Sequence, residues 1–376
     1  MKNSMIKKIV FITNEPAPYR VPIFEKISAT SGFSFHVIFC CRREPNRHWS
    51  LPPVTFEHTF LRERIRTVNG RYIHNNPDVI PTLRRIAPDV VITDGFNPTH
   101  LYAFGYALLK GLPHIPMTDG TLESEKALSP VHRLVRRFVY YRSRAFLWAS
   151  LGGKKLYESY GIQADRTFQS CLCIDNSVYL QEPPQETAEK CFDFIFCGRM
   201  EPAKSPLFAL QVALQVARRL QRKVSILFVG TGSQEEEIRQ AAALHPDLLQ
   251  AAFNGHAVQH ELPALYRSAR VFLFPTIADV WGVVANEACA AGLPVLVSPH
   301  AGVAGELVLD GENGYVCALD ADVWAERAAR LLTEPDLYRK FSECSRAIVD
   351  KYTYKEASSG IVTACHIATL DSAALG

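Results

Sequence analysis

The stretch "VFLFPTIADVWGVVANEACAAGLPVLVS" (residues 271–298) reads as one strand–loop–helix–strand unit. VFLFP (271–275) is a continuous apolar run, as expected of a strand buried on both faces of a parallel sheet. Residues 276–281 form a loop, a helix begins near Gly282, and PVLVS (294–298) is the next strand. Asp279 then sits in the loop at the strand's carboxyl end. Glu287 lies about 7.5 Å along the helix at a rise of 1.5 Å per residue. Glu287 shares its helix face with Val283, Val284 and Ala291, where an unpaired charge is costly.

The same grammar repeats along the chain. KIVFIT (8–13), FSFHVIFC (33–40), DVVITD (89–94), HIPMTD (114–119) and RAFLWAS (144–150) are strand candidates in the first half. FDFIFC (192–197) and VSILFV (224–229) precede VFLFP in the second. The spacers are long enough for crossover helices, and SPLFALQVALQVARRL (205–220) has its apolar residues at helical spacing. Two doubly wound α/β domains follow. Polar NSVYLQEPPQETAEK (176–190) has linker composition and divides residues 1–175 from residues 191–353.

The chain has 376 residues, 48% hydrophobic and 21% charged, which is ordinary globular content and enough for two cores. No apolar run reaches the roughly 18 residues of a spanning helix. The opening MKNSMIKKIVFITNEPAP is too short in its apolar part, and too interrupted by Asn14 and Glu15, for a signal peptide. The ten cysteines are scattered with no CxxC pair, so buried, reduced thiols of a cytosolic protein are expected and a zinc site is not. Residues 1–185 carry 24 Lys+Arg against 15 Asp+Glu, an excess of +9, and the remainder carries 17 against 23, or −6. That asymmetry points to different partners for the two halves, or to uneven surface decoration.

A helix N-terminus offers free N–H groups and partial positive charge, which suits a phosphate. Gly282 lacks a Cβ and so permits close backbone approach. With a diphosphate there, Glu287 would meet a ribose diol and Asp279 the sugar on the other side. A salt-bridged or solvated Glu287 is the competing reading. In FCGRMEPAKSP (196–206), a glycine turn at Gly198 precedes Arg199 and Lys204, a fork and a point charge able to hold phosphate. Two basic residues on a surface loop would read the same way in isolation. VGTGSQEEEI (229–238) has GxG without a third glycine and is weak as a nucleotide fingerprint; it reads as a tight turn into a helix whose first turn holds Glu235–Glu237.

Taken in order, GRMEPAK, VGTGS, DVWGVVANEACAAGLPV and AGVAGELVLDGENGYV (301–316) resemble family 4 of the retaining glycosyltransferases, of the GT-B fold. The resemblance covers nearly all of residues 190–335. It departs at Asp279, where Glu is usual, and at Trp281, where Phe is usual. It implies two Rossmann-like domains facing each other across a cleft, with a nucleotide-diphosphate sugar held by the C-terminal one. Gly198, Arg199 and Lys204 would hold the diphosphate, Glu287 the ribose, and Asp279, Trp281, Gly282 and Val283 the sugar, with base recognition by backbone near Gly255–Val258. It also implies metal independence, no cofactor, no protein nucleophile, and a last helix (about 354–376) crossing back onto the first domain.

ITNEPAPYRVPIFEKIS (12–28) is similar to the first strand–loop–helix of a bacterial subset with an Asn-x-Pro-Ala-Pro-Tyr-Arg loop. Asn14, Tyr19 and Arg20 are acceptor-side candidates, beside the reading that Arg20 caps something local. Asp119 stands roughly where relatives carry a cleft histidine and is given an acceptor or donor-sugar role. SPVHRLVRRFVYYRSRAFLW (129–148) reads as an amphipathic helix with apolar positions 131, 134, 135, 138 and 139 on the sheet and its arginines free for anionic lipid.

The resulting expectation is a cytoplasmic glycosyltransferase, peripheral on the inner face of the membrane. It would move a sugar to a glycan or lipid-linked acceptor in surface polysaccharide biosynthesis. Three alternatives stand beside it. GRMEPAK and DVWGVVANE speak against a GT-B-like epimerase or phosphorylase. Asp279 lends slight support to a non-catalytic donor-binding partner. Nucleic-acid binding lacks stacking aromatics and a recognisable module.

Overall fold

Uninterrupted β-branched and aromatic runs build the interior strands, as in Phe194, Ile195 and Phe196, all buried. The computed structural model describes residues 7–29, 32–45, 53–68, 71–126, 128–180 and 190–370. The chain divides into two compact units, Met1–Leu172 with Tyr354–Gly376, and Cys173–Thr353.

The first unit runs β1 (Lys7–Thr13), α1 (Val21–Ser28), β2 (Phe33–Phe39), β3 (His58–Phe60), an antiparallel hairpin β4 (Ile65–Val68) and β5 (Arg71–His74), α2 (Val79–Ile86), β6 (Val90–Thr93) and α3 (Pro98–Lys110). It continues through β7 (His114–Thr118), α4 (Leu122–Lys126), α5 (Pro130–Arg142), β8 (Phe146–Trp148), α6 (Leu151–Ser159) and β9 (Thr167–Gln169). Seven strands pair in parallel in the order β3-β2-β1-β6-β7-β8-β9. The core on one side joins Val10, Ile12, Val79, Leu83 and Val91, and a second cluster joins Phe104, Tyr140, Phe146 and Tyr157.

The second unit runs α7 (Ser177–Leu180), β10 (Phe192–Cys197), α8 (Pro206–Leu220), β11 (Val224–Val229), α9 (Glu235–Ala243), β12 (Leu249–Gly255), α10 (Leu262–Arg267) and β13 (Ala269–Phe274). It closes with α11 (Val283–Ala290), β14 (Val295–Val297), β15 (Gly314–Val316), α12 (Ala321–Thr333) and α13 (Pro335–Val349). Its six parallel strands lie in the order β12-β11-β10-β13-β14-β15. The final helix, α14 (Tyr354–Leu370), belongs to the first unit, where Phe33 meets His366 with ring centroids 4.6 Å apart.

The strand order of each sheet reverses once, between β1 and β6 and between β10 and β13. At such a switch point the loops leaving the two strands splay to opposite faces and open a crevice at the carboxyl ends. In the second unit those loops are the ones carrying GRMEPAK and ADVWG.

Three expectations are corrected. Residues 176–180 are not linker: Asn176 is buried and donates to the carbonyls of Val349 (3.0 Å) and Tyr352 (3.3 Å), and α7 packs within the second unit. The rest of the expected linker, 181–189, lies outside the described residues. On α5, positions 131, 134 and 138 face solvent, whereas Val139 and Tyr140 carry the packing. The cysteines are not uniformly buried: Cys191 is exposed, and Cys197, Cys317 and Cys344 are half-buried.

Candidate active site

Three loops of the second unit meet at the carboxyl end of its sheet. The loop after β10 is fastened to the loop after β11, because the amides of Gly198 and Met200 donate to Val229 (2.9 Å) and Thr231 (2.9 Å). Glu201 accepts from the Ser233 amide (3.1 Å) and hydroxyl (2.7 Å). The same loop is fastened to the one after β13: the Ala203 carbonyl accepts from the Ile277 amide (3.0 Å) and the Thr276 hydroxyl (2.9 Å). Lys204 Nζ lies 2.6 Å from Asp279 Oδ2, both largely shielded. Asp279 Oδ1 accepts from the Trp281 amide (3.2 Å). Two residues from separate motifs, 75 apart in sequence, thus form one ion pair. Arg199 is exposed and makes no ion pair among the described residues.

Residues 279–281 are held from behind by the loop after β14. Gly302 and Val303 donate to the carbonyls of Asp279 (2.9 Å) and Trp281 (3.1 Å). A Cβ on Gly302 would come within 2.0 Å of the Val280 carbonyl oxygen, so the "AGVAG" glycine is what lets the two segments touch. Gly282 has φ +105°, and a Cβ there would strike the Phe274 ring at 2.3 Å. Its glycine is therefore required by backbone conformation and by packing on β13. The amides of Val283 and Val284, at the first turn of α11, have no intrahelical acceptor.

Trp281 is corrected in role. Its ring is 1% exposed, stacks near Tyr352 with centroids 5.5 Å apart, and donates through Nε1 to Asn286 Oδ1 at 2.8 Å. An indole turned into the core cannot wall a sugar pocket, so only its backbone remains at the site. Gly255 lies at the same end of the sheet, its carbonyl accepting from Gly230 N at 2.7 Å. Val258 is also corrected: its N–H donates to Glu261 Oε2 (3.0 Å) and its carbonyl accepts from Glu261 N (2.9 Å), so its backbone is already occupied.

Glu287 makes no ion pair among the described residues and is buried. It is 8% exposed, and its Oε2 accepts from the Tyr266 hydroxyl at 2.8 Å. Tyr179 of α7 supplies a second hydrogen bond. Burial pushes its carboxyl up to about 7 against the pull of these two phenols. Neighbouring Cys197 is driven to about 12, by burial first and then by the Glu287 charge. Neither tyrosine is visible as a site residue in the sequence, since no fixed spacing connects them to α11.

The raised value has a consequence for stability. An acid whose pKa is higher folded than unfolded stabilises the fold below the unfolded value, near 4.5, and loses that contribution as pH rises to about 7. The span corresponds to on the order of 3 kcal/mol. The difference in Tm between Glu287→Gln and the unmodified protein should therefore move in favour of the variant from pH 5 to pH 8. A difference that stays constant over this range excludes a proton held by Glu287.

In the first unit, Arg20 is buried at the start of α1 and its Nη2 pairs with Asp119 Oδ1 at 2.7 Å, just past β7. Its partner is 99 residues away, so Arg20 is not a local cap. Asn14 follows β1, donates to Glu44 Oε1 (3.4 Å) and accepts from Asn97 (3.4 Å). Tyr19 is partly exposed, its ring centroid 6.0 Å from the Arg20 guanidinium carbon. All four acceptor-side candidates therefore cluster at the carboxyl end of this sheet.

Two Rossmann-like domains in one chain, each with one switch point, constitute the GT-B fold. Comparison with solved structures agrees. Anabaena Alr3699/HepE in complex with UDP and glucose superposes with a TM-score of 0.71 at 15% identity, over 96% of this chain and 99% of that one. A glycosyltransferase from Rickettsia africae ESF-5 gives 0.72 at 14% identity, over 96% and 98%. WaaG, a glycosyltransferase involved in lipopolysaccharide biosynthesis, gives 0.65 at 17%, over 94% and 99%. Residues 180–347 match the family described as "Glycosyl transferases group 1", which supports that family for the second unit. Glycogen synthase of Mycobacterium tuberculosis (strain CDC 1551 / Oshkosh) is 34% identical over 126 residues, 34% of this chain and 30% of that protein. D-inositol 3-phosphate glycosyltransferase of Frankia alni is 32% identical over 170 residues, 41% of each. The aligned segments span well under half the length of these curated relatives.

Proposed function

We propose that this protein is a retaining glycosyltransferase that moves a sugar from a nucleotide-diphosphate sugar to a glycan or lipid-linked acceptor in surface polysaccharide assembly. The observation that carries the proposal is the convergence, at the switch point of the second unit, of the Lys204–Asp279 pair, the free first-turn amides of α11 and the buried Glu287. Cations and N–H groups suit a diphosphate, and carboxylates suit vicinal hydroxyls. Arg199 and Lys204 stabilise the departing diphosphate, Glu287 holds the ribose, and Asp279 orients the transferred sugar. Asn14, Tyr19, Arg20 and Asp119 contribute to the acceptor side. Catalysis then rests on positioning and charge stabilisation, with no covalent protein intermediate. The structurally similar Anabaena Alr3699/HepE is in complex with UDP and glucose, which supports this class of donor.

The reaction needs no metal in this reading, because Arg199 and Lys204 offset the diphosphate charge that a divalent ion would otherwise meet. The test is release of nucleoside diphosphate from a panel of nucleotide sugars, with and without excess EDTA. Turnover that persists in EDTA supports the proposal. Turnover abolished by EDTA and restored by Mg²⁺ or Mn²⁺ counts against the cationic site. Donor binding without turnover, across sugar acceptors, would identify the non-catalytic partner instead.

A further inference from the structure

Glu287 is a buried carboxylate whose hydrogen-bond partners among the described residues are all neutral. Tyr266, fully buried at the end of α10, donates to its Oε2 at 2.8 Å, and Tyr179 donates from α7. The two rings pack edge to face with centroids 6.2 Å apart, and Tyr266 packs again on Phe272 of β13 at 5.7 Å. Tyr266 is also hydrogen-bonded to the Cys197 thiol at the end of β10. Tyr179 is held in turn: its carbonyl accepts from Arg267 Nη1 at 3.3 Å, and α7 is anchored through the buried Asn176. Both phenols are therefore fixed by their own packing and hydrogen bonds.

The choice of phenols has a chemical meaning. An ionised carboxylate offers about four lone-pair sites, and the two hydroxyls use only part of that capacity. A lysine or arginine would also meet the charge, but with several donors on one side chain and a lasting ion pair. The titratable groups facing Glu287 are Tyr266 from α10, Tyr179 from α7 and Cys197 from β10. Among the described residues no charged side chain acts on it from α13, β13 or β14, the other elements packed against α11. Burial raises its carboxyl to about 7, while each phenol pulls toward the ionised form. The lone pairs left over are what a vicinal diol needs.

We propose that Tyr266 and Tyr179 are positioning residues of the donor site: their hydroxyls aim the Glu287 carboxylate and hold it as an acceptor for the ribose diol of a nucleoside diphosphate. They act through Glu287 and not on the reacting atoms. The proposal rests on the reading of Glu287 as the ribose-binding carboxylate, and it extends the donor site to α7 and α10, outside the loops after β10, β11 and β13.

The test is calorimetric titration of the full chain between pH 6 and pH 9 with UDP, ADP and GDP, and with inorganic pyrophosphate, which has no ribose. Tyr266→Phe and Tyr179→Phe each remove one donor, so Glu287 should keep its proton to a pH about one unit higher. A nucleotide that needs the ionised form should then bind roughly fivefold more weakly at pH 7, and roughly 50-fold more weakly in the double variant. At pH 9 Glu287 is ionised in the parent and in either single variant, and their affinities should agree within about twofold. Pyrophosphate affinity should be unchanged throughout, and KM for the nucleotide sugar should rise at pH 7 with kcat unchanged. Should Tyr266→Phe fail to fold, Tyr179→Phe carries the same test alone. A loss equal at pH 7 and pH 9, or one that extends to pyrophosphate, marks a purely structural role and overturns the proposal. So do Phe variants that bind every nucleotide as the parent does while Glu287→Gln binds it more weakly, a result that leaves the donor reading intact. Nucleotide binding that is absent, or unchanged in Glu287→Gln, removes the donor reading itself and this proposal with it.

Discussion

Arg199→Ala and Lys204→Ala should each lower kcat/KM for the nucleotide sugar by roughly 10- to 150-fold, the equivalent of about 1.5–3 kcal/mol for a charge-assisted contact. The two residues should differ in character. Arg199 stands exposed on the loop after β10 with no ion pair among the described residues, so its guanidinium fork is available to a phosphate. Arg199→Lys keeps the charge but loses bidentate geometry and should recover only part of the activity. Lys204 begins 2.6 Å from Asp279 and must exchange or share that partner when a diphosphate arrives. In the proposed role, Lys204→Ala removes a phosphate contact, and it also leaves Asp279 without its cation. Fold integrity is not at stake for Arg199, whose side chain is exposed, and the melting curve of that variant should match the parent. Steady-state kinetics over a panel of donors decides the matter: parental kcat/KM in both alanine variants would remove the diphosphate from this loop.

Much of this site was legible before any coordinates, for a physical reason. Strands in the middle of a doubly wound sheet are covered on both faces, so β10, β11 and β13 appear as predominantly apolar runs, each with a single polar residue near its start, and their loops can be placed by counting. Edge position erases that signal. β12, LQAAFNG, has a mixed burial pattern and no apolar run to announce it, and β9 and β15 are three residues each. Periodicity identified α5 as a helix but could not say which of its apolar residues faced the sheet, because Val131, Leu134 and Val139 all lie on a broad apolar arc. Spacing likewise brought Asp279 and Glu287 into view, whereas the partners that set their chemistry came from elsewhere. Lys204 reaches Asp279 across the switch point, and Tyr266 and Tyr179 reach Glu287 from α10 and α7. Trp281, which the resemblance places at the sugar, instead has its indole between Tyr352 and Asn286, partners that no local spacing announces.

Asp279→Asn and Glu287→Gln should separate the two halves of the donor. Asp279 Oδ2 holds Lys204, and Oδ1 takes the Trp281 amide. An asparagine can keep the second contact through its carbonyl oxygen and must give up the first, because an amide cannot neutralise an ammonium. Lys204 is then freed toward phosphate, so binding of the bare nucleoside diphosphate should be unchanged or tighter by a few-fold. Turnover should nevertheless fall at least tenfold, since the carboxylate proposed to orient the sugar is gone; a hydrogen bond to a charged group contributes about 1.5–3 kcal/mol. Glu287 lies one and a half turns into α11, away from that ion pair, and its oxygens share Tyr266 and Tyr179 with any ribose diol. Glutamine keeps one acceptor oxygen and replaces the other with a donor, so a diol that needs two acceptors loses one contact. Bare nucleotide and intact donor should both bind roughly tenfold more weakly, with turnover at saturation less affected than in Asp279→Asn. Calorimetric titration of each variant with nucleoside diphosphate and with the nucleotide sugar, paired with kcat, gives the four numbers required. Should Asp279→Asn lose the bare nucleotide as severely as Glu287→Gln does, Asp279 acts on the phosphates through Lys204 and the sugar is oriented by other groups.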